Sequence, residues 1–284
     1  MDKQKLSIAI PASVISDTPH LREKTSKIGL IGRAAAIFRV DEIIVYSDNA
    51  RVDQRCDLRF TELLLNYLET PQYLRKILFP LESDLQYAGI LPPLRIPSHP
   101  LSGKTKHLKI GEYREGVIQG DAKEGLHVDI GVQQLALLRQ KHFQINERLT
   151  VQVVSVGQAV EVQPVNRADV PLYWGYRVRV EKRPLGKIMR DDSFELKLAT
   201  ARIGDNFVNV AGEIGKKWAM SQRVLVAFGA PSRGLHEIAQ DEGINLEELS
   251  DFVVNTVPNQ GTATVRTEEA LLASLAILNV YFKY

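Results

Sequence analysis

Cysteine is almost missing from this chain of 284 residues: there is one, Cys56. An intrachain disulfide is therefore excluded, and the usage fits a reducing cytoplasm. The six histidines (His20, His99, His107, His127, His142, His236) are scattered, none beside a second His or Cys at ligand spacing, so no metal is expected. No apolar run approaches the ~20 residues of a membrane-spanning helix, so no membrane partner is expected. The start, MDKQKLSIAIPASVISDTPH, resembles a secretory leader in its lysines and apolar stretch. Pro11 interrupts that stretch and Ser16-Asp17 follows without a small-residue cleavage pattern, so it reads as a first strand. Three common site motifs are also missing: the G-x-x-x-x-G-K-[ST] phosphate loop, a strand followed by G-x-G-x-x-G, and the G-x-S-x-G elbow. Gly29-x-x-Gly32 lies inside a helical pattern and reads as close packing.

Net charge is small, +2, but uneven. Residues 91–190 hold 16 basic and 9 acidic residues, net +7, against 0 before them and −5 after. Charge alone fits either a polyanion-binding insert or a solvated basic surface.

The ends of the chain have α/β texture. LSIAIPASVI reads as a buried strand, TSKIGLIGRAAAIFRV has helical spacing at Ile28, Ile31, Ala35 and Phe38, and EIIVYSD reads as a second strand. This is a βαβ unit of a parallel sheet. The helical segments LRFTELLLNYLET and PQYLRKILF follow. Near residue 90 the texture changes. GILPPLRIPSHPLSGK carries Pro92, Pro93, Pro97 and Pro100 and marks a boundary. Short alternating runs come next: EYREGVIQG, GLHVDIGV, RLTVQVVSVG, AVEVQPV and YWGYRVRVEKR. Five such strands predict a small β-barrel of OB type. In the last run, aromatics such as Trp174 alternate with arginines, which suits either base stacking with phosphate contact or core packing. From Phe194 the strands FELKLATA, VLVAFGAP and DFVVNTV return, with a helix at RGLHEIAQDEG between the last two and a terminal helix after them. The predicted domains are 1–92 and 186–284, two halves of one α/β domain, with the barrel at 93–185.

Three strand-end loops remain as candidate ligand sites: Ala199-Thr200 to Gly204, FGAPSRG (Phe228 to Gly234), and Asn255 to Glu268. In parallel sheets ligands gather beyond the carboxyl ends of strands. Gly229, Gly234 and Gly261 would allow close backbone approach and positive φ. Asn255, Thr256, Gln260, Thr262 and Thr264 supply polar groups. Glu268 and Glu269 fall in the first turn of the terminal helix, where each gains ~0.3–1 kcal/mol from the helix dipole. Arg266 is a cation near a helix N-terminus, which calls for a partner or ligand. Leu271, Leu275, Leu278 and Phe282 form a stripe that should be buried.

FGAPSRGL and NTVPNQGTATVRTEEALLASLAILN resemble the C-terminal motifs of the SPOUT methyltransferases. SIAIPASVI and KIGLIGRAAAIFRVDEIIVY resemble the archaeal and eukaryotic branch with an inserted OB-like domain, described as RNA uridine-N3 methyltransferases. The resemblance covers both halves of the split domain; the barrel matches in architecture more than in motif.

The resemblance implies an α/β sheet with a C-terminal trefoil knot, S-adenosylmethionine bent within the knot, and a homodimer with its site at the subunit interface. Carried onto this sequence, the cofactor residues are Thr200, Gly204, Phe228, Gly229, Ala230, Gly234, Asn255, Thr256, Val257, Pro258, Gln260, Gly261, Thr264, Val265 and Arg266. Ala230 stands where relatives often have a second glycine. Arg33 matches a substrate-side arginine, and Glu268 or Glu269 could act as base. Arg177, Arg179, Lys182 and Arg183 would grip RNA from the barrel. The implied activity is methylation of N3 of an rRNA uridine. A ribose 2′-oxygen or guanine nitrogen in tRNA or rRNA, or a non-catalytic assembly role on RNA, stays open.

Overall fold

A computed structural model describes residues 4–282. The chain forms two compact units. The first comprises residues up to Asn66, Asp84–Pro92 and the chain from Tyr176 onward; the second comprises Tyr67–Ser83 and Pro93–Gly175.

In chain order the first unit begins with β1 (Lys5–Pro11), α1 (Leu21–Ile37), β2 (Glu42–Tyr46) and α2 (Arg55–Glu69), whose last turn counts with the second unit. The second unit then holds α3 (Gln72–Leu78), β3 (Tyr113–Ala122), β4 (Gly125–Asp129), β5 (Ala136–Leu138), β6 (Arg148–Val156) and β7 (Val160–Pro164). The chain returns to the first unit at β8 (Arg177–Glu181), α4 (Leu185–Met189), β9 (Leu196–Asn206), α5 (Phe207–Met220) and β10 (Arg223–Ala227). It ends with α6 (Leu235–Asp241), α7 (Leu246–Leu249), β11 (Phe252–Asn255) and α8 (Thr267–Tyr281).

The first unit is a six-stranded sheet in the order β11-β9-β10-β1-β2-β8. Every neighbouring pair is parallel. The apolar runs of β1, β2 and β10 are buried on both faces, as a sheet covered by helices on each side requires. One face packs Ala9, Ile44, Leu225 and Ala227 against Leu185, Ile188 and Met189 of α4 and Leu235 and Ile238 of α6. α1 and α8 pack on each other. The predicted stripe of α8 is buried: Leu271, Leu275, Leu278 and Phe282 are all inside. Gly29 is a packing contact, since a Cβ there would lie 2.8 Å from the Pro92 ring.

The second unit is a closed barrel of five strands, β3-β4-β5-β7-β6. Its core is Ile118, Leu126, Val128, Leu138, Val151, Val153 and Val162 with their neighbours. The fifth strand is not the one expected. Alternation puts YWGYRVRVEKR in the barrel, but its strand, β8, pairs in parallel with β2, Arg177 opposite Glu42 and Glu181 opposite Tyr46. The barrel closes instead through β5, which joins β7 in parallel. Arg179 explains part of the β8 register: its Nε donates to the Glu42 carboxylate at 3.1 Å. Of the two readings of Trp174, core packing is the one the structure shows. Its ring is buried and its indole N–H donates to Glu115.

Candidate functional site

The three candidate loops meet at the carboxyl end of the sheet. β9 pairs with β11 up to Ala199 opposite Val253, and pairing resumes at Asp205 opposite Val254. Between them Thr200 to Gly204 leave the ladder. Gly204 lets the two backbones approach, because a Cβ there would sit 2.7 Å from the Val253 carbonyl oxygen. Thr200 ties this segment to the next strand, its hydroxyl donating to the Ala227 carbonyl at 2.9 Å.

The second loop is closed on itself: the Ala230 N–H donates to Arg233 O at 2.8 Å. Gly229 fits this turn, since a Cβ would lie 3.0 Å from the Leu235 nitrogen. The Tyr46 hydroxyl, buried at the end of β2, donates to Phe228 O at 2.8 Å. Burial, with the nearby Asp48 carboxylate, pushes this phenol well above its ordinary pKa, so it stays a donor.

The third loop is held by its own polar residues. Asn255 accepts from the Val257 N–H and donates to Arg202 O. Gln260 donates to the Thr262 and Ala263 carbonyls. Thr256 and Ser274 share a buried hydrogen bond of 2.7 Å that fixes the loop to α8. Thr267 closes the circuit, donating to Gly229 O at 2.9 Å. The three loops enclose a cavity of about 290 Å³, near the lower end of the ~300–1,000 Å³ of small-molecule sites.

A second feature braces this wall. Asp48, just beyond β2, is fully buried at its carboxylate. It accepts from the Ser13 N–H and hydroxyl, from Gln54 Nε2 at 2.8 Å and from Arg233 Nη2 at 2.9 Å. One carboxylate thus gathers the loops after β1, β2 and β10. Arg233 also reaches the Asp48 carbonyl and, through Nη1, Asp241 at the end of α6.

A family model described as "Putative RNA methyltransferase" matches residues 5–278. The chain belongs to this family. The methyltransferase is 34% identical to an uncharacterized protein of Halobacterium salinarum, over 96% of this chain and 98% of that one. It is also 33% identical to a 28S rRNA (uridine-N(3))-methyltransferase of Drosophila melanogaster, over 96% of this chain and 61% of the relative. The human protein of the same name is 32% identical over 96% of this chain and 77% of its own.

Of the residues carried over from the resemblance, eleven line the cavity of the methyltransferase: Thr200, Phe228, Gly229, Ala230, Gly234, Asn255, Thr256, Val257, Gln260, Thr264 and Val265. Gly204, Pro258, Gly261 and Arg266 do not, and neither do Arg33, Glu268 and Glu269. Arg33 is half-buried on α1. Glu268 Oε2 lies 3.3 Å from Lys27 Nζ, in an ion pair whose lysine also holds Asp17. Glu269 accepts the Arg266 N–H at 2.9 Å, closing the first turn of α8. Arg266 is the exposed N-cap residue of that helix. None of Gly229, Gly234 and Gly261 takes a positive φ; the left-handed residue in the third loop is Asn259, at φ 65°. The four cations expected to hold RNA lie on β8 and just beyond it, in the sheet unit. Arg179 pairs with Glu42, and Arg183 forks onto Glu181. Sequence reasoning does not single out four lining residues with ionisable side chains: Arg202, Arg233, His236 and Glu237. Among the described residues no cluster of His, Cys, Asp or Glu is arranged to hold a metal, and no helix is long and apolar enough to cross a membrane.

Proposed function

We propose that the methyltransferase holds S-adenosylmethionine in the cavity at β9, β10 and β11 and methylates N3 of a uridine in rRNA. The observation that carries this reading is the convergence of three strand-end loops on one cavity, in a chain matched over 96% by 28S rRNA (uridine-N(3))-methyltransferases. The residues present fit the cofactor. Phe228, Leu235, Val257 and Val265 offer apolar surface for an adenine, and the Gly229 turn is a close backbone cradle. Bound there, S-adenosylmethionine supplies an electrophilic methyl on sulfur, so the chain's work is to position the base and manage its proton.

The finer assignments belong to the same reading. The sheet is of SPOUT type with a trefoil knot in the C-terminal segment. The barrel is OB-like; its five-strand order, with the third and fifth strands parallel, supports that. The active form is a homodimer in a reducing cytoplasm. α1 supports the dimer: Leu30 and Ile37, one turn to either side of Arg33, are exposed apolar residues. In a dimer, Arg33 would serve the second copy's cavity rather than its own, stabilising negative charge on the uridine.

RNA would be gripped by exposed cations that form no ion pair among the described residues, lysines above all together with Arg177 and Lys182, rather than by Arg179 and Arg183. In residues 91–190, Arg114, Arg139, Arg148, Arg167, Arg179 and Arg183 all face carboxylates. Lys104, Lys106, Lys109, Lys123 and Lys141 are exposed and form no ion pair among the described residues. Replacing Lys104, Lys106 and Lys109 together by Ala should weaken RNA binding. Its log–log salt dependence should flatten by about 2, since each single-strand phosphate left without its lysine is worth ~0.7 of slope. An unchanged slope would place the grip elsewhere.

Calorimetry with S-adenosylmethionine tests the cavity assignment. Binding is expected in the wild type and should be lost on Gly229→Val, which fills the turn. Absence of binding to the wild type would favour a non-catalytic assembly role on RNA.

A further inference from the structure

A uridine methylated at N3 must lose the proton on that nitrogen, and the carboxylates expected to take it lie outside the cavity. Glu268 faces Lys27, and Glu269 closes the first turn of α8. Among the cavity-lining side chains, two can accept a proton: His236 and Glu237. Glu237 is engaged, accepting the Gly234 N–H that opens α6.

His236 is placed differently. Its Nε2 lies 2.8 Å from Glu247 Oε1 on α7. Gly243, at φ +67°, turns the chain between α6 and α7. Asn245 caps α7 by accepting the Glu247 N–H, which sets the position of that carboxylate. A backbone hydrogen bond at its own residue, then the one to His236, hold the Glu247 carboxyl below its usual pKa, so it is ionised and can only accept. In the neutral imidazole the proton therefore sits on Nε2, which leaves the Nδ1 lone pair to accept. Nδ1 has no hydrogen-bond partner among the described residues.

We propose that His236, oriented by Glu247, is the general base for methyl transfer. This rests on the uridine-N3 reading above. In the step, the N3 electron pair forms the bond to the methyl carbon. The carbon–sulfur bond breaks, its electrons return to sulfur, and the sulfonium becomes a neutral thioether. The N3 proton passes to His236 Nδ1, and Glu247 stabilises the imidazolium that forms. The elements packed against α6 carry other charged groups: Glu248 on α7, Lys187 on α4 with Arg190 just beyond it, and Lys197, Arg202 and Asp205 on β9. Among the described residues only Glu247 is in hydrogen-bond contact with the imidazole.

The test is the pH dependence of kcat on an rRNA fragment for the wild type, His236→Asn and Glu247→Gln. His236→Asn should lower kcat by about 100-fold at neutral pH, the usual worth of a positioned base. Its affinity for S-adenosylmethionine should be unchanged. The deficit should shrink as pH rises and uridine N3 ionises unaided. Glu247→Gln should lose less and follow the same trend. A thermal midpoint equal to wild type, or His236→Gln giving the same profile, separates this from misfolding. Turnover within threefold of wild type, or a deficit constant with pH, would overturn the proposal. Failure of the wild type to bind the cofactor would overturn the cavity reading, and a product other than 3-methyluridine the target reading; either removes the ground for a base here.

Discussion

Replacing Arg148 by Met is expected to destabilise the barrel unit by about 3–5 kcal/mol, the usual cost of removing one partner from a buried ion pair. Arg148 stands between two buried carboxylates, 2.9 Å from Glu69 and 2.6 Å from Glu115. Arg167 adds a second contact to Glu69, and Thr150 and Trp174 donate to Glu115. Gly175, at φ +106°, lets the chain pass, since a Cβ there would meet Glu69 Oε1 at 2.9 Å. Burial alone would raise the Glu115 carboxyl, but Arg148, then Thr150 and Trp174, outweigh it and hold its pKa low. A lowered folded-state value contributes stability above the unfolded pKa, and that stability is lost as pH falls through the folded one. Without Arg148, burial would dominate and the sign would reverse: protonating Glu115 would then relieve the variant. Thermal unfolding from neutral pH into the carboxylate range should show a gap of about 10 °C at pH 7 that narrows on acidification. A gap constant with pH would mean that Glu115 is not the group left uncompensated.

The second large effect concerns the wall of the cavity. Arg233→Ala leaves the Asp48 carboxylate buried with only Ser13 and Gln54 as donors. The expected cost is about 3 kcal/mol, at the low end for such pairs because the arginine is itself 24% exposed. The effect should reach the cofactor, because the Ala230–Arg233 turn is part of the wall. A loop no longer held must be ordered on binding, and S-adenosylmethionine affinity should fall about tenfold, or about 1.4 kcal/mol. Arg233→Lys keeps the charge without the fork and should fall between. A drop in melting temperature with unchanged affinity would show that the clamp supports the fold but not the loop.

Much of the sheet is legible in the sequence because its strands are short apolar runs with clear punctuation. β1, α1 and β2 lie where LSIAIP, the helical spacing and EIIVY place them. β5 is not, for three residues are too few to show alternation. β8 is visible as a strand but not as a member of the sheet, since alternation says nothing about which sheet a strand joins. α5 is not legible either. Gly212 and Gly215 lower its helix propensity, and Gly215 is explained only by the Phe282 ring, 3.1 Å from where its Cβ would be.

The site divides in the same way. The loops can be found because small and polar residues follow buried strands. What each residue does there is tertiary. Asp48 and Arg233 are 185 positions apart, and no local pattern joins them. In sequence His236 is one of six scattered histidines; only the turn at Gly243 brings Glu247 onto it. Glu268 and Glu269 look like candidate bases in sequence, but first-turn carboxylates also serve the helix dipole.

The most direct test is product mapping. The purified protein would be incubated with unmodified rRNA and S-adenosylmethionine carrying an isotopic methyl label, and the digested nucleosides separated by mass. Label is expected in 3-methyluridine at one position, and lost on filling the cavity with Gly229→Val. Label in a 2′-O-methylated nucleoside or in methylguanosine, or no transfer by a folded wild type, would contradict it.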